Sequence, residues 1–312
     1  MRDQAKRPLP PMLGLALGIV VASTAAIAIR FAQPYAPSLV IAAWRLLLAS
    51  LVLGPIVLKR ESRTLASLSR AQLGLGIASG CFLALHFAAW IGSLQYTSVA
   101  ASVVLVSTVP LFVALLAPLT LHEPLTRPVV AGLCLALIGG AGIGLLDSCT
   151  WENGLRCQAM LGGSHEAAFG DLLALVGALG AAGYLTIGRW LRRDLPLLAY
   201  IGLSYTTAGV ILAVVAVLAG HSLFGYPWIA FLLFAYLALG PQLLGHSSLN
   251  WALRYLPAAL VATALLGEPI GSTALAWLLL NERPTGPKLA AMALILGGIW
   301  IAARGQQETA PG

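Results

Sequence analysis

The sequence predicts an all-helical membrane protein in which ten transmembrane helices form two inverted five-helix repeats. Three observations lead there. Of the 312 residues, 59% are hydrophobic and 9% are charged, whereas a soluble domain carries roughly 25% charged residues. So few charges cannot cover a water-facing surface, and the solvent around most of the chain must be lipid. Apolar stretches of the ~20 residues that a bilayer-spanning helix needs recur along the whole length. The third observation is internal: shifted by 159 positions, the second half of the sequence lies on the first.

Spans are expected at 11–30, 37–58, 72–93, 98–118, 128–146, 169–189, 196–218, 228–250, 257–279 and 286–303. The first follows Arg2, Lys6 and Arg7 and contains Ala26-Ile27-Ala28, a pattern that a cleaved signal peptide also shows. The repeat argues for a retained helix, because this span is the counterpart of the sixth. At the constant offset Gly18 meets Gly177, Arg30 meets Arg189, Pro37 meets Pro196 and Tyr96 meets Tyr255. Pro110 likewise meets Pro269, Glu123 meets Glu282 and Gly139 meets Gly298. Matched Pro, Tyr, Arg and Glu mean more than Leu and Ala coincidences in so apolar a chain. Five helices is an odd number, so the two copies enter the membrane in opposite directions. Inverted repeats are a recurring secondary-transporter architecture, with the substrate site near the midplane where the repeats meet. The units expected are a first repeat over 11–146, an outward polar loop over 147–168 and a second repeat over 169–305.

The net charge of +7 does not point to nucleic acid, because the basic residues sit in short gaps between apolar stretches. They read as topology signals. A cytoplasmic N-terminus puts thirteen Lys and Arg on the cytoplasmic side and four outside, with Arg45 inside the membrane. The positive-inside rule therefore places both termini in the cytoplasm, with a bacterial inner membrane as the expected location. Cys81 and Cys134 fall in apolar stretches and read as packing residues. Cys149 and Cys157 share the outward loop, where a disulfide and two free thiols both remain open.

Several residues carry a family likeness. Glu268-Pro269 is followed by Ala274-Leu-Ala-Trp-Leu-Leu-Leu-Asn-Glu282 and then Gly297-Gly298. The first repeat echoes this with Ser107-Thr-Val-Pro110, Leu121-His-Glu-Pro124-Leu and Gly139-Gly140, and Ala42-Ala-Trp-Arg45 and Tyr96-Thr97-Ser98 add to the pattern. Over residues 11–305 the chain resembles the drug/metabolite transporter superfamily, specifically its EamA-type ten-helix members. The resemblance implies a central cavity, alternating access and small substrates such as amino acids, nucleosides or sugars, often exported. Two departures stand out. The 147–168 loop is long for the family, and Ser204 stands where the second repeat would match Arg45.

Glu268 is the acidic residue nearest the middle of a span, where a charge costs about 2.5–3.5 kcal/mol on translocon scales. It reads as a substrate contact or proton-coupling group, against a structural carboxyl beside the break at Pro269. Arg45 suits a substrate carboxylate or phosphate; pairing with Glu268 or with helix-end carbonyls is favoured slightly, which makes it a structural residue. Gln242, His246 and Asn250 recur every four residues on the eighth span, on one helical face, and serve either substrate contact or interhelical bonding. His86 and Trp90 could form an aromatic wall on the third span, with Tyr184, Tyr205 and Trp44 as weaker candidates and ordinary packing as the competing reading. Glu123 and Glu282 close the fourth and ninth spans and, with Pro110 and Pro269, read as gating or structural residues. The pairs Gly14/Gly18 and Gly140/Gly144 allow close helix approach, supporting either folding or a homodimer.

A membrane enzyme would need clustered catalytic groups. The five histidines are scattered, and neither HExxH nor a P-loop occurs. A passive channel fits the scaffold without a coupling residue. The expectation is a non-enzymatic secondary active transporter, an exporter without cofactor or metal, that moves a small polar or amphipathic metabolite such as an amino acid. Proton antiport, exchange and facilitated diffusion all fit.

Overall fold

The computed structural model describes residues 10–97, 102, 105–151, 155–157, 165–280 and 286–307. Its helices are α1 (Pro11–Ala32), α2 (Ser38–Ala66), α3 (Arg70–Ser93), α4 (Val109–Thr120) and α5 (Arg127–Ser148) in the first half. The second half has α6 (His165–Leu191), α7 (Leu197–Leu218), α8 (Trp228–Ala252), α9 (Ala258–Leu265 with Glu268–Leu280) and α10 (Gly286–Gln307). Among the described residues, six helices are long and apolar enough to cross a bilayer and four further apolar helices are shorter. The chain is thus a helical multi-pass membrane protein whose helices overlap the expected spans. The fourth span, 98–118, is covered by α4 only from Val109 on, and residues 98–101 and 103–104 lie outside the described residues. Large apolar side chains stand exposed around the bundle, among them Leu115, Leu119, Leu218 and Leu278. Water would penalise such a surface; lipid does not.

Helix packing repeats as the sequence does. α2 packs on α7, α4 on α9 and α5 on α10, each helix against its own counterpart. The largest of the other contacts come in exchanged pairs: α3 with α6 as α8 with α1, α3 with α7 as α8 with α2, and α4 with α6 as α9 with α1. That is the contact set of a pseudo-two-fold axis. Local geometry follows it too. The matched prolines Pro37 and Pro196 cap α2 and α7 with ψ of 147° and 150°.

The α5–α10 crossing shows what the axis demands of side chains. A methyl group on Gly132 would run into the carbonyl oxygen of Gly298, and one on Gly298 into that of Gly132. Gly139 faces the Ala291 carbonyl oxygen at 2.6 Å from the place a Cβ would occupy. Gly139 and Gly298 are repeat mates, as are Gly132 and Ala291, so the crossing is symmetric. Of the small residues singled out in the sequence, Gly14 and Gly18 do sit against α8, at Trp251 and Ser248. On α5, however, close approach falls at Gly132 and Gly139, while Gly140 has ordinary contact with Leu266.

One further difference from expectation concerns cysteines. Cys81 and Cys134 are exposed on the outer surface instead of packed inside, which costs a small apolar thiol little in lipid. The loop after α5 contains a two-stranded antiparallel ribbon, β1 (Cys149–Trp151) and β2 (Leu155–Cys157), in which Cys149 lies opposite Cys157. Their side chains lie outside the described residues.

The crossing makes a checkable demand. Gly298→Ala is expected to lower stability by about 1–3 kcal/mol, the usual range for overpacking. Gly54→Ala, at a site with nothing within 4 Å, should leave it unchanged. Thermal unfolding in detergent compares the two; equal midpoints would mean that the helices do not meet at this glycine pair.

Candidate functional site

Proline decides where two helices break. A proline nitrogen has no hydrogen to give the carbonyl four residues back, so the chain turns before Pro110 and before Pro269. The same short bonds appear in both places. Thr108 N donates to Leu105 O at 3.1 Å and Leu111 N to Thr108 O at 2.9 Å. At the offset of 159, Gly267 N donates to Ala264 O at 2.9 Å and Ile270 N to Gly267 O at 3.1 Å. The first residue after each break differs: Val109 in the first repeat, Glu268 in the second.

The breaks flank a cavity of about 80 Å³, lined by α1, α2, α3, α6, α8, α9 and residues 106–110. Much of the lining comes in repeat pairs: Ala22 and Ala181, Ala25 and Tyr184, Trp90 and Leu249, Ser107 and Leu266, Val109 and Glu268. The cavity therefore lies on the pseudo-two-fold axis. Its size suits a small molecule and no macromolecule. Of the sequence candidates, Glu268, Arg45, His86, Trp90, His246, Tyr184 and Pro110 line it.

Arg45 enters from α2 and is 1% exposed. Its Nε donates to Gln242 Oε1 at 2.8 Å, and its guanidinium carbon stands 4.2 Å from the centre of the Phe87 ring. Among the described residues, neither terminal nitrogen of Arg45 has a hydrogen-bond partner. Glu268 is half-buried and faces the same space. The two do not form an ion pair: among the described residues such pairs are confined to Glu123.

A polar network backs the cavity. α8 departs from α-helical winding over Ala238–His246, a π-helical stretch around Pro241; such stretches collect at functional sites. Gln242 in this stretch and Asn250 one turn beyond it are fully buried. Asn250 Nδ2 donates to the hydroxyls of Tyr184 and Tyr205, the latter at 3.2 Å. The Tyr205 hydroxyl meets Ser247 Oγ at 3.3 Å, and Ser247 Oγ reaches Gln242 O at 3.5 Å. Opposite, the His86 ring stacks on Trp90 with centroids 5.8 Å apart and planes at 12°, and His86 Nδ1 bonds Gly177 O at 2.9 Å. Gly177 and Gly180 permit this, since a Cβ on either would press on the α3 backbone at Trp90 or His86.

Glu123 does other work. Its Oε1 accepts from Arg189 Nε at 2.6 Å and from an Arg193 terminal nitrogen at 3.2 Å, and its Oε2 accepts from Ala258 N at 3.3 Å. Arg189 in turn donates to Leu253 O at 2.8 Å. One carboxylate thus ties together the ends of α4, α6 and α8 and the start of α9. Glu282 lies outside the described residues. Pro269 is buried beside Glu268 and acts through the break. Phe87 escaped the sequence reading, since an apolar residue in a membrane helix carries no mark of the cation above it. Arg189 as the partner of Glu123 escaped too, although both belong to matched repeat positions.

The model of the EamA-like transporter family matches residues 9–145 and 168–304. A crystal structure of a protein 20% identical in sequence superposes with a TM-score of 0.75, covering 96% of this chain and 99% of that one. No curated protein matches.

The Glu123 cluster can be tested alone. Glu123→Gln keeps the shape and removes the charge that Arg189 and Arg193 share. A cycle with Arg189→Gln, read by thermal unfolding, is expected to return a coupling energy of about 0.5–3 kcal/mol, as for residues in one network. Strict additivity would sink the assignment.

Proposed function

The chain belongs to the EamA-like transporter family, and on that premise we propose that it is a secondary active transporter exporting a small polar or amphipathic metabolite, such as an amino acid or related compound, by alternating access. The observation that carries this reading is the axial cavity, with a buried cation and a carboxyl group that do not pair with each other. A structural ion pair would close on itself. Two separate opposite charges in a small cavity suit a visiting solute, and intramembrane ionisable residues mark substrate and proton pathways.

In this reading His86, Trp90, His246 and Tyr184 shape the cavity wall, while Gln242 and Asn250 hold it. Glu268 couples transport to protons: a carboxyl group at a broken helix in a mostly apolar cavity can take up a proton when the solute leaves. The protein works in the inner membrane with both termini in the cytoplasm. The Glu123 cluster then lies on the cytoplasmic side, and its release accompanies opening to that side. The repeats over 11–146 and 169–305 move against each other about the axis, and substrate exchange or facilitated diffusion are the modes left if Glu268 carries no proton.

The test compares wild type and Glu268→Gln at matched membrane levels, with small molecules in medium and cytoplasm measured by mass spectrometry. A compound enriched outside wild-type cells but not mutant cells is the expected result. Unchanged pools in both strains would overturn export of an endogenous metabolite. In vesicles, Glu268→Gln should lose flux driven by a pH gradient and keep solute exchange. Flux equal to wild type would remove the proton from the mechanism.

A further inference from the structure

Arg45 is built as a receptor for something that the protein itself does not supply. Gln242 Oε1 fixes Nε and the Phe87 ring supports the flat face of the guanidinium. Rotation is restrained from two directions, and the two remaining nitrogens are left as a fork with no partner among the described residues. A buried charged group with unmade hydrogen bonds is unfavourable, and more so in a membrane, where water is not at hand. Arg45 lines the cavity and its two terminal nitrogens are buried in that wall, so an anion that enters and reaches them is the natural partner.

The chemistry of that anion follows from the fork and its surroundings. Two coplanar nitrogens match the two oxygens of a carboxylate, which guanidinium binds bidentately. The Trp90 indole nitrogen, also in the cavity wall and without a partner among the described residues, offers a further donor to oxygen. Glu268 in the same cavity repels a second negative charge on the occupant more than a single one, so a monoanion suits the site better than a phosphate monoester dianion. We infer that Arg45 is the docking residue for the carboxylate of a small monocarboxylate substrate, held through its two terminal nitrogens. This rests on the transporter reading and deepens it. It assigns to Arg45 a binding role in place of the structural one favoured by the sequence.

Matched pairs of small molecules test it. The full chain in lipid nanodiscs is warmed with α-amino acids and 2-hydroxy acids, and separately with the carboxamide of each, with sodium chloride and potassium phosphate alongside. At least one acid should raise the unfolding midpoint while its carboxamide does not. Arg45→Gln should raise the acid concentration required by about tenfold or more, the scale of a lost charge-assisted pair, and Arg45→Lys should lie between. The wild-type comparison of acid with carboxamide stands even where a variant fails to fold. Equal shifts from acid and carboxamide, an undiminished shift in Arg45→Gln, a larger shift from phosphate, or no shift from any acid would each overturn the assignment. Counterflow in liposomes separates the two claims. An acid that binds through Arg45 but is not exchanged sinks the transport reading alone. Exchange that proceeds equally well in Arg45→Gln sinks the docking role alone.

Discussion

Inside a bilayer, a polar group has no partner except another part of the same chain. Everything distinctive in this protein follows from where that demand is met and where it is not. Most of the chain meets it by helical bonding, with apolar side chains turned outward to lipid. Several of the exceptions converge. Helix breaks at 107–108 and 266–267, the end of the π-helical stretch of α8 and the buried side chain of Arg45 meet at one cavity, with Gln242 and Asn250 packed behind its wall. Irregular backbone at membrane depth is tolerated where it lines such a space.

Symmetry explains why the cavity lies where it does. Two copies of one five-helix unit related by a pseudo-two-fold axis bring each helix break to the same place from opposite sides. Beside the axis the backbones of α5 and α10 touch at Gly132 and Gly298, which fixes how closely the two copies dock. On the transporter reading proposed above, a scaffold made this way has two equivalent ways to tilt, one opening the cavity to each face.

The architecture was open to sequence reading because the membrane leaves so few alternatives. Low charge, span length and a constant offset among Pro, Tyr, Arg and Glu suffice for ten helices in two repeats. The cavity was legible wherever polarity betrayed it: Glu268, Arg45, His86 and His246 stand out in apolar stretches and do line it. Relations between residues were not legible. That Arg45 rests on Phe87 and bonds Gln242, without pairing with Glu268, depends on side-chain directions that no periodicity encodes. The ribbon at Cys149–Cys157 escaped for a different reason, since three-residue strands in a polar loop leave no alternation to detect.

What breaks the symmetry is more informative than what keeps it. Applying the offset to the two charges of the cavity gives Ser204 for Arg45 and Val109 for Glu268. Each repeat carries one of these two charged residues and an uncharged residue at the position matching the other. The scaffold is therefore nearly symmetric while its cavity is polar, basic on the side of one repeat and acidic on the other. A solute with an anionic end can lie in such a cavity in one orientation only. In the proposed alternating-access cycle that orientation is carried with the site and not reversed, so the same contacts would serve from both faces. A symmetric cavity would leave the solute two poses, and neither repeat would hold it by a charge of its own.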